Sequence, residues 1–403
     1  MNILIISNFF YPYNSIASFR INAFAKYFYE AGNSVTVVTE GDCDETVMWN
    51  GCEIHYVKDC VITESRMKLL LRTNKKWTIR RIICALQSRL ALDHKFMWRF
   101  KAYKRAYEVM KKGQFDIVLS SYCPLSPHMI AYKLRKKASG FYWIADMRDE
   151  MSKSPFISRW RRWRIRSYEC KILESADLVL SVSAPLVNDF KQIGRHGRVF
   201  EVKNGYDYEE VHSASFQSVY TMAFIGHFDS FINPNNWFKA FSELIAVGDI
   251  PQNSRINIIG NHEKLLIPEN IKSNIFQIEE VNHAEAIRSS LEVDTLVLVH
   301  PKGRKGVYTG KLFDYLATNK PILAICDPND VIAALLEETK AGFTADESDI
   351  EDIKKKILHC YFIWKNKDVL SRDWSKIRQY TRKNQVRILL EYLSQQEVLK
   401  QGS

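Results

Sequence analysis

Three glycines and a lysine open the stretch of this sequence richest in chemistry. Gly303, Gly306 and Gly310 precede Lys311, and Asp314 follows three residues on. Glycine lets a backbone approach a ligand closely. A helix is expected to begin near Thr309 or Gly310, and the N–H groups and dipole of a helix start suit a diphosphate. The same dipole disfavours a cation in the first turn, so Lys311 there points to an anionic ligand. Tyr308 and Thr309 complete the loop. Asp314 lies about one turn further on the same face. A carboxylate does not ligate phosphate, but it accepts hydrogen bonds from ribose or sugar hydroxyls. The competing reading is a capped helix with a Lys–Asp surface pair.

Other candidates sit where apolar runs end. His128 closes a Ser- and Pro-rich stretch, 120–128, and could hydrogen-bond a hexose hydroxyl or steady developing charge. Asp149 is a second carboxylate candidate, although Arg148–Asp149 reads equally as a structural pair. The first apolar run ends at Ser7 and opens into a long loop reaching Ser15 and Ile16. A dinucleotide-binding turn needs glycines at that place, and none is present, which argues against a nicotinamide enzyme. Ser15 and Ile16 are still expected beside the ligand, because the carboxyl ends of parallel strands face the crevice. Gly226 and His227 follow a later strand in the same way. Val281 lies in 280–283, where topology alone places nucleobase contacts.

The elements that must position these residues are short. Apolar, β-branched runs at 3–7, 34–39, 117–120, 142–145 and 178–182 form one series. Runs at 222–226, 256–260, 295–299 and 321–325 form a second. Runs that do not alternate suit parallel strands buried on both faces. Amphipathic helices lie between them, for instance 19–31 and 234–246. The fold class expected is α/β: two Rossmann-like domains with a cleft between them and a C-terminal helix crossing back. Residues 1–203 form the N-terminal domain, 204–218 a linker, and 219–373 the C-terminal domain. Residues 374–403 form the last helix, which could pack on the N-terminal domain.

The formal charge of +11 over 403 residues is concentrated. Between Arg66 and Lys112 there are 15 Lys and Arg against two acids, Asp93 and Glu108, so the remainder is close to neutral. Part of this segment carries Phe96, Phe100, Tyr103, Tyr107 and Met110 at helical spacing, read as an apolar stripe packed on the sheet. The part over 66–92 interleaves Leu and Ile with Lys75, Lys76, Trp77, Arg80 and Arg81. Such a segment can lie on an anionic membrane. Arg161 and Arg162 belong to a second cluster with two tryptophans. Eight cysteines without a C-x-x-C pair make structural zinc unexpected. The N-terminus lacks the charged segment of a signal peptide, and no run spans a membrane, so a cytoplasmic protein is expected.

The run Lys311-Leu312-Phe313-Asp314-Tyr315-Leu316-Ala317, followed by Lys320-Pro321-Ile322-Leu323-Ala324, resembles the donor-binding segment of family 4 GT-B glycosyltransferases. Trp143-Ile144-Ala145-Asp146-Met147-Arg148-Asp149, Ala176-Asp177-Leu178-Val179, Lys203-Asn204-Gly205-Tyr206-Asp207 and Phe224-Ile225-Gly226 resemble further family segments in the family's order. The resemblance covers most of the chain. It implies that Asp314 binds the donor ribose, where the family has Glu. It also implies a His near the sugar, matched by His128. Two family features are absent: the first of two acids eight apart falls on Gly306, and the diphosphate clamp after Gly226 is replaced by His227. Lys311 and the 306–311 backbone are then expected to anchor the diphosphate.

The expected activity is transfer of a sugar from a nucleotide-diphosphate sugar to a hydroxyl of a glycan or polyprenyl-linked glycan. The resemblance implies retention of configuration and a role in bacterial capsule, O-antigen or exopolysaccharide synthesis. His128, Asp149 and Lys311 are the catalytic candidates. Ser15, Ile16, Gly226, His227, Val281, Tyr308, Thr309, Gly310, Lys311 and Asp314 are the donor-binding candidates. No metal or cofactor is expected, the nucleotide sugar being a co-substrate. An anionic membrane surface, at the inner face of the plasma membrane, is the expected partner of the basic clusters. Nucleic acid is not expected. The alternatives are an inert GT-B scaffold subunit, another GT-B enzyme such as a sugar-nucleotide epimerase, and a nucleic-acid-binding protein using the Arg/Trp clusters.

Overall fold

The computed structural model describes residues 1–13, 15–59, 93, 95–138, 140–194, 197–229 and 231–396. The basic stretch with Lys75, Lys76, Trp77, Arg80 and Arg81 lies outside the described residues. The chain divides into two units, Met1–Lys203 with Val386–Ser403, and Asn204–Gln385.

The first unit is built on an eight-stranded sheet. Its strands are β1 (Asn2–Ile6), β2 (Ser34–Gly41), β3 (Glu45–Trp49), β4 (Cys52–Lys58), β5 (Ile117–Ser121), β6 (Tyr142–Asp146), β7 (Leu178–Ser181) and β8 (Val199–Glu201). Their order is β3-β4-β2-β1-β5-β6-β7-β8. All neighbours pair in parallel except β3 with β4. The β3–β4 hairpin was absent from the strand series expected above. Its signal is the pair Asn50-Gly51, with φ of 45° and 79°, the conformation a two-residue hairpin turn requires. Among the described residues up to Lys203, the unit has helices α1 (Ile16–Glu30), α2 (Trp98–Lys112), α3 (Ser126–Lys137), α4 (Arg159–Ser175) and α5 (Ala184–Gly194).

Helix α2 corrects one expectation. The face it buries is Trp98, Ala102 and Ala106, not the aromatic stripe. Small residues at spacing four let the helix lie close to the sheet, and the Trp98 indole donates to the Val57 carbonyl at 3.1 Å. The stripe instead carries cations. The Arg99 guanidinium lies 4.8 Å from the Phe96 centroid, and the Lys133 ammonium 5.3 Å from that of Phe100. Phe100 is exposed.

The second unit carries a six-stranded, all-parallel sheet: β9 (Thr221–Ile225), β10 (Arg255–Ile259), β11 (Ile275–Ile278), β12 (Thr295–Val299), β13 (Ile322–Cys326) and β14 (Gly342–Asp346). The order is β11-β10-β9-β12-β13-β14. Its central strands β12 and β13 are buried on both faces. Val297 and Val299 of β12 join Phe224, Phe238 and Ile256 in one cluster, while Leu296 and Leu298 join Leu312, Phe313 and Leu316 in the other. That two-sided burial is why these strands read as continuous apolar runs. The helices are α6 (Asn235–Val247), α7 (His283–Leu291), α8 (Gly310–Leu316), α9 (Val331–Thr339), α10 (Ile350–Asn366) and α11 (Trp374–Ile377).

Residues read as a linker are built into the second unit. Tyr206 is buried among Leu312, Phe313 and Tyr380, bridges Thr381, and donates its hydroxyl to Glu210. The tail is not one continuous helix. Thr381 is extended between α11 and α12 (Arg382–Gln395), and the Asn384 N–H donates to its hydroxyl. Val386, Leu389 and Leu393 of α12 lie in the core of the first unit with Ile3, Phe24 and Val35.

Candidate functional site

In the second unit, the chain leaves β9 through Gly226, whose φ is +132° and whose N–H donates to the Ile259 carbonyl at 2.8 Å. A Cβ added to Gly226 would lie 2.4 Å from Lys311 Nζ. Lys311 therefore reaches from the first turn of α8 to the carboxyl end of β9. Its ammonium lies over the Phe224 ring, 4.0 Å from the centroid. Among the described residues no carboxylate pairs with it, and burial pushes its pKa down to about 7. A desolvated cation without a counter-ion is suited to receive an anion. The competing reading, a Lys–Asp surface pair, is not found: Asp314 has another partner.

That partner is His283, the first residue of α7. Its Nε2 is 3.0 Å from Asp314 Oδ2, while Oδ1 is buried without a hydrogen bond. His283 is oriented by its helix start: Asn282 caps α7 by accepting the Glu285 N–H at 3.0 Å. Val281 precedes this cap and is half-buried. Nothing in the local sequence marks His283 as a partner of Asp314.

The loop before α8 is held from outside. Gly303 and Gly306 have φ of +97° and +75°, and the Gly306 N–H donates to Asp330 Oδ1 at 2.9 Å. Tyr308 is buried and meets Phe313 edge-on. Thr309 stands at the N-cap of α8, yet its hydroxyl caps nothing and is buried without a partner. Gly310 begins the helix and is buried. His227 is exposed, with its ring 5.1 Å from that of His262.

In the first unit, His128 lies in α3 and is fully buried. Its Nδ1 is 2.7 Å from Ser120 Oγ, which is 2.9 Å from the Trp143 indole nitrogen. The indole can only donate, so Ser120 Oγ accepts from it; among the described residues His128 Nδ1 is the one acceptor within reach of the Ser120 hydroxyl, which therefore donates to it. The proton of His128 is then on Nε2, which has no partner. Burial lowers the imidazole pKa to about 3, so the ring is a neutral donor. The Tyr122 ring is nearly parallel to it at 6.3 Å.

Asp149 is half-buried near this loop. Burial first, and then charges including that of Asp149, hold the Tyr122 phenol well above its ordinary pKa. Arg148 donates to the Tyr122 carbonyl. Ser15 caps α1, accepting the Ser18 N–H at 3.2 Å in a capping box. Ile16 is the first residue of that helix.

Sequence reasoning missed two polar clusters here. Arg20 forms a buried ion pair with Asp146 at 2.8 Å, and Ser121 donates to the same carboxylate. Glu40 binds Asn8 at 2.8 Å and Lys95 at 2.6 Å. Asp146 lies in the family-like segment Trp143–Asp149 and ends an apolar strand, and Glu40 is an acid near the end of another, but neither signal names the partner. An Asp-x-Asp sequence also occurs, Asp42-Cys43-Asp44, exposed in the turn from β2, where Asp44 accepts the Lys58 N–H.

Helix α4 presents Arg161, Arg162, Trp160 and Trp163 to solvent, the tryptophans 51% and 72% exposed. Its buried face starts only at Ile165 and continues through Glu169, Ile172 and Leu173.

Two Rossmann-like sheets in one chain, with a C-terminal helix returning to the first, can be compared with known folds. A sucrose-phosphate synthase from Thermosynechococcus elongatus matches 100% of this chain and 100% of its own, with a TM-score of 0.69 at 12% identity. This chain has the GT-B fold. An α,α-trehalose-phosphate synthase (UDP-forming) from Burkholderia xenovorans covers 98% of this chain and 100% of its own, with a TM-score of 0.63 at 12% identity. The lipopolysaccharide outer core galactosyltransferase WaaB covers 98% and 100%, with a TM-score of 0.61 at 10% identity. No protein-family model and no curated protein sequence matches the chain. Among the described residues, no helix is long and apolar enough to cross a membrane.

Proposed function

We propose that the protein is a glycosyltransferase that moves a sugar from a nucleotide-diphosphate sugar to a hydroxyl of a glycan or lipid-linked glycan. One observation carries this reading. The Lys311 ammonium, without a carboxylate partner among the described residues, is held against Gly226 at the carboxyl end of β9. As the bond from the anomeric carbon to the diphosphate breaks, negative charge gathers on the leaving group and Lys311 meets it. The acceptor oxygen bonds to the anomeric carbon, and its proton departs with the diphosphate. The step uses no metal, and configuration is retained.

Asp314 accepts a ribose hydroxyl through the oxygen that His283 leaves free. His128 donates through Nε2–H to a sugar hydroxyl, and Asp149 is a second polar group for the sugar or acceptor. Trp160, Arg161, Arg162 and Trp163 attach the protein to the anionic inner face of the plasma membrane, each cation contributing about 1 kcal/mol. The similarity to a lipopolysaccharide galactosyltransferase supports a role in surface-glycan synthesis.

The test is a thermal-shift and nucleotide-release screen of the full-length chain against a panel of nucleotide sugars, with EDTA present. Stabilisation and release by one donor class, both lost in Lys311→Ala, are expected. A stable protein that binds and releases nothing overturns the reading and favours an inert scaffold subunit.

A further inference from the structure

Three neighbouring strands of the second sheet each deliver one metal-binding side chain to the same edge. His227 stands two residues beyond β9, His262 three beyond β10, and Glu280 two beyond β11. These strands are adjacent in the sheet. The ligand atoms of the three side chains all lie within 4.8 Å of one another. The imidazole rings of His227 and His262 are 5.1 Å apart, and His262 Nε2 is 3.2 Å from Glu280 Oε2.

The strand ends that carry them are tied by backbone hydrogen bonds. Gly226 N–H donates to the Ile259 carbonyl at 2.8 Å, and Gly260 N–H to the Ile278 carbonyl at 2.9 Å. Asn261 adds a third tie, its Oδ1 accepting the Phe228 N–H at 3.1 Å. The trio thus sits on a fixed frame, while its side chains are exposed and free to adjust. A tetrahedral ion with ligands at about 2.1 Å spaces them about 3.4 Å apart. From separations of up to 4.8 Å the ligand atoms need to close in by at most about 1.4 Å, a distance on the scale of side-chain rotation.

We propose that His227, His262 and Glu280 bind a divalent transition-metal ion of the zinc class. Two imidazoles and a carboxylate suit zinc, cobalt or nickel, and three protein ligands leave positions open. The ion displaces the His262–Glu280 contact. It resides at the end of the strand against which Lys311 packs and takes no part in the transfer step proposed above.

The experiment uses the full-length chain without a polyhistidine tag, stripped with EDTA and returned to chelator-free buffer. Zinc chloride is titrated by calorimetry and cobalt chloride by visible absorption. One equivalent of saturable binding is expected, with cobalt giving the intense bands of a low-coordinate site. Loss of a ligand in His227→Ala or His262→Ala should weaken binding by more than the roughly 10–100-fold that outer-shell changes cost. Glu280→Gln, close in shape, should weaken it while leaving the melting temperature of the metal-free protein unchanged. His359→Ala, on α10, should bind as the parent does. Absence of one-equivalent binding, or equal affinity in all four variants, overturns the proposal. Metal binding without any nucleotide-sugar binding would sink the transfer reading alone, and the reverse would sink only the metal site.

Discussion

The ammonium of Lys311 rests on the ring of Phe224, 4.0 Å from its centroid. An ion–ring contact offsets only part of the cost of desolvating a cation. The remainder appears as a lowered pKa, about 7 against an ordinary 10.5. Between those two values the unfolded chain holds more protons than the folded one, so stability rises with pH across that window. Below pH 7 the cost is fully present. Lys311→Met should therefore melt higher than the parent at pH 6, with the gap closing toward pH 10. Turnover of the proposed reaction should fall about 10²–10³-fold. Melting curves at several pH values and initial rates check both; a destabilised variant with unchanged turnover contradicts them.

Gly226→Ala tests the same contact from the other side. Its Cβ would lie 2.4 Å from Lys311 Nζ, at a φ of +132° that side chains rarely adopt. The strain should cost about 1–3 kcal/mol of stability. Part of it should vanish in the Lys311→Met background, where the crowding ammonium is gone. A double-mutant cycle measures this, and simple additivity would show that the two residues do not interact.

His128 should contribute no limb to a pH–rate profile between pH 5 and 8, because burial holds its pKa near 3. His128→Phe preserves a ring beside Tyr122 but removes the Nε2–H donor and the acceptor of the Ser120 hydroxyl. An unmet buried hydroxyl costs about 1–3 kcal/mol. Sugar-nucleotide affinity should fall with it, whereas affinity for the bare nucleotide should not. Calorimetry on both ligands separates a sugar contact from a structural role.

The buried Arg20–Asp146 pair predicts a large single-site effect. Arg20→Met leaves a carboxylate uncompensated and should cost about 3–5 kcal/mol in urea unfolding. Replacing both partners with apolar residues should recover part of that loss.

Trp160→Ala with Trp163→Ala should leave the melting temperature unchanged, since both rings are largely exposed. Arg161→Glu with Arg162→Glu should do the same. Either pair should reduce co-sedimentation with vesicles containing phosphatidylglycerol, and the reduction should shrink as salt rises. Unchanged sedimentation at low salt would remove α4 from the proposed membrane contact.

The order of elements was legible without coordinates because strands buried on both faces leave uninterrupted apolar runs. Thus β1, β5, β12 and β13 stood out, and with them the two α/β series. The loop from Gly303 to Gly310 was visible through its glycines, and Lys311 through a charge placed where a helix dipole opposes it. The β3–β4 hairpin is less legible, although Asn50-Gly51 names its turn, because its strands alternate rather than run. The aromatic stripe of α2 was misjudged because periodicity counts apolar residues, while alanines at 102 and 106 decide how near a helix can lie to a sheet.

The sequence by itself thus determined which segments become buried strands and where a cation would be out of place. Tertiary structure alone decided the pairings: Lys311 with Gly226, Asp314 with His283, His128 with Ser120 and Trp143, and His227 with His262 and Glu280. The physical reason is the parallel sheet, which brings strand ends dozens of residues apart to one edge. Spacing along the chain carries no record of which side chains meet there.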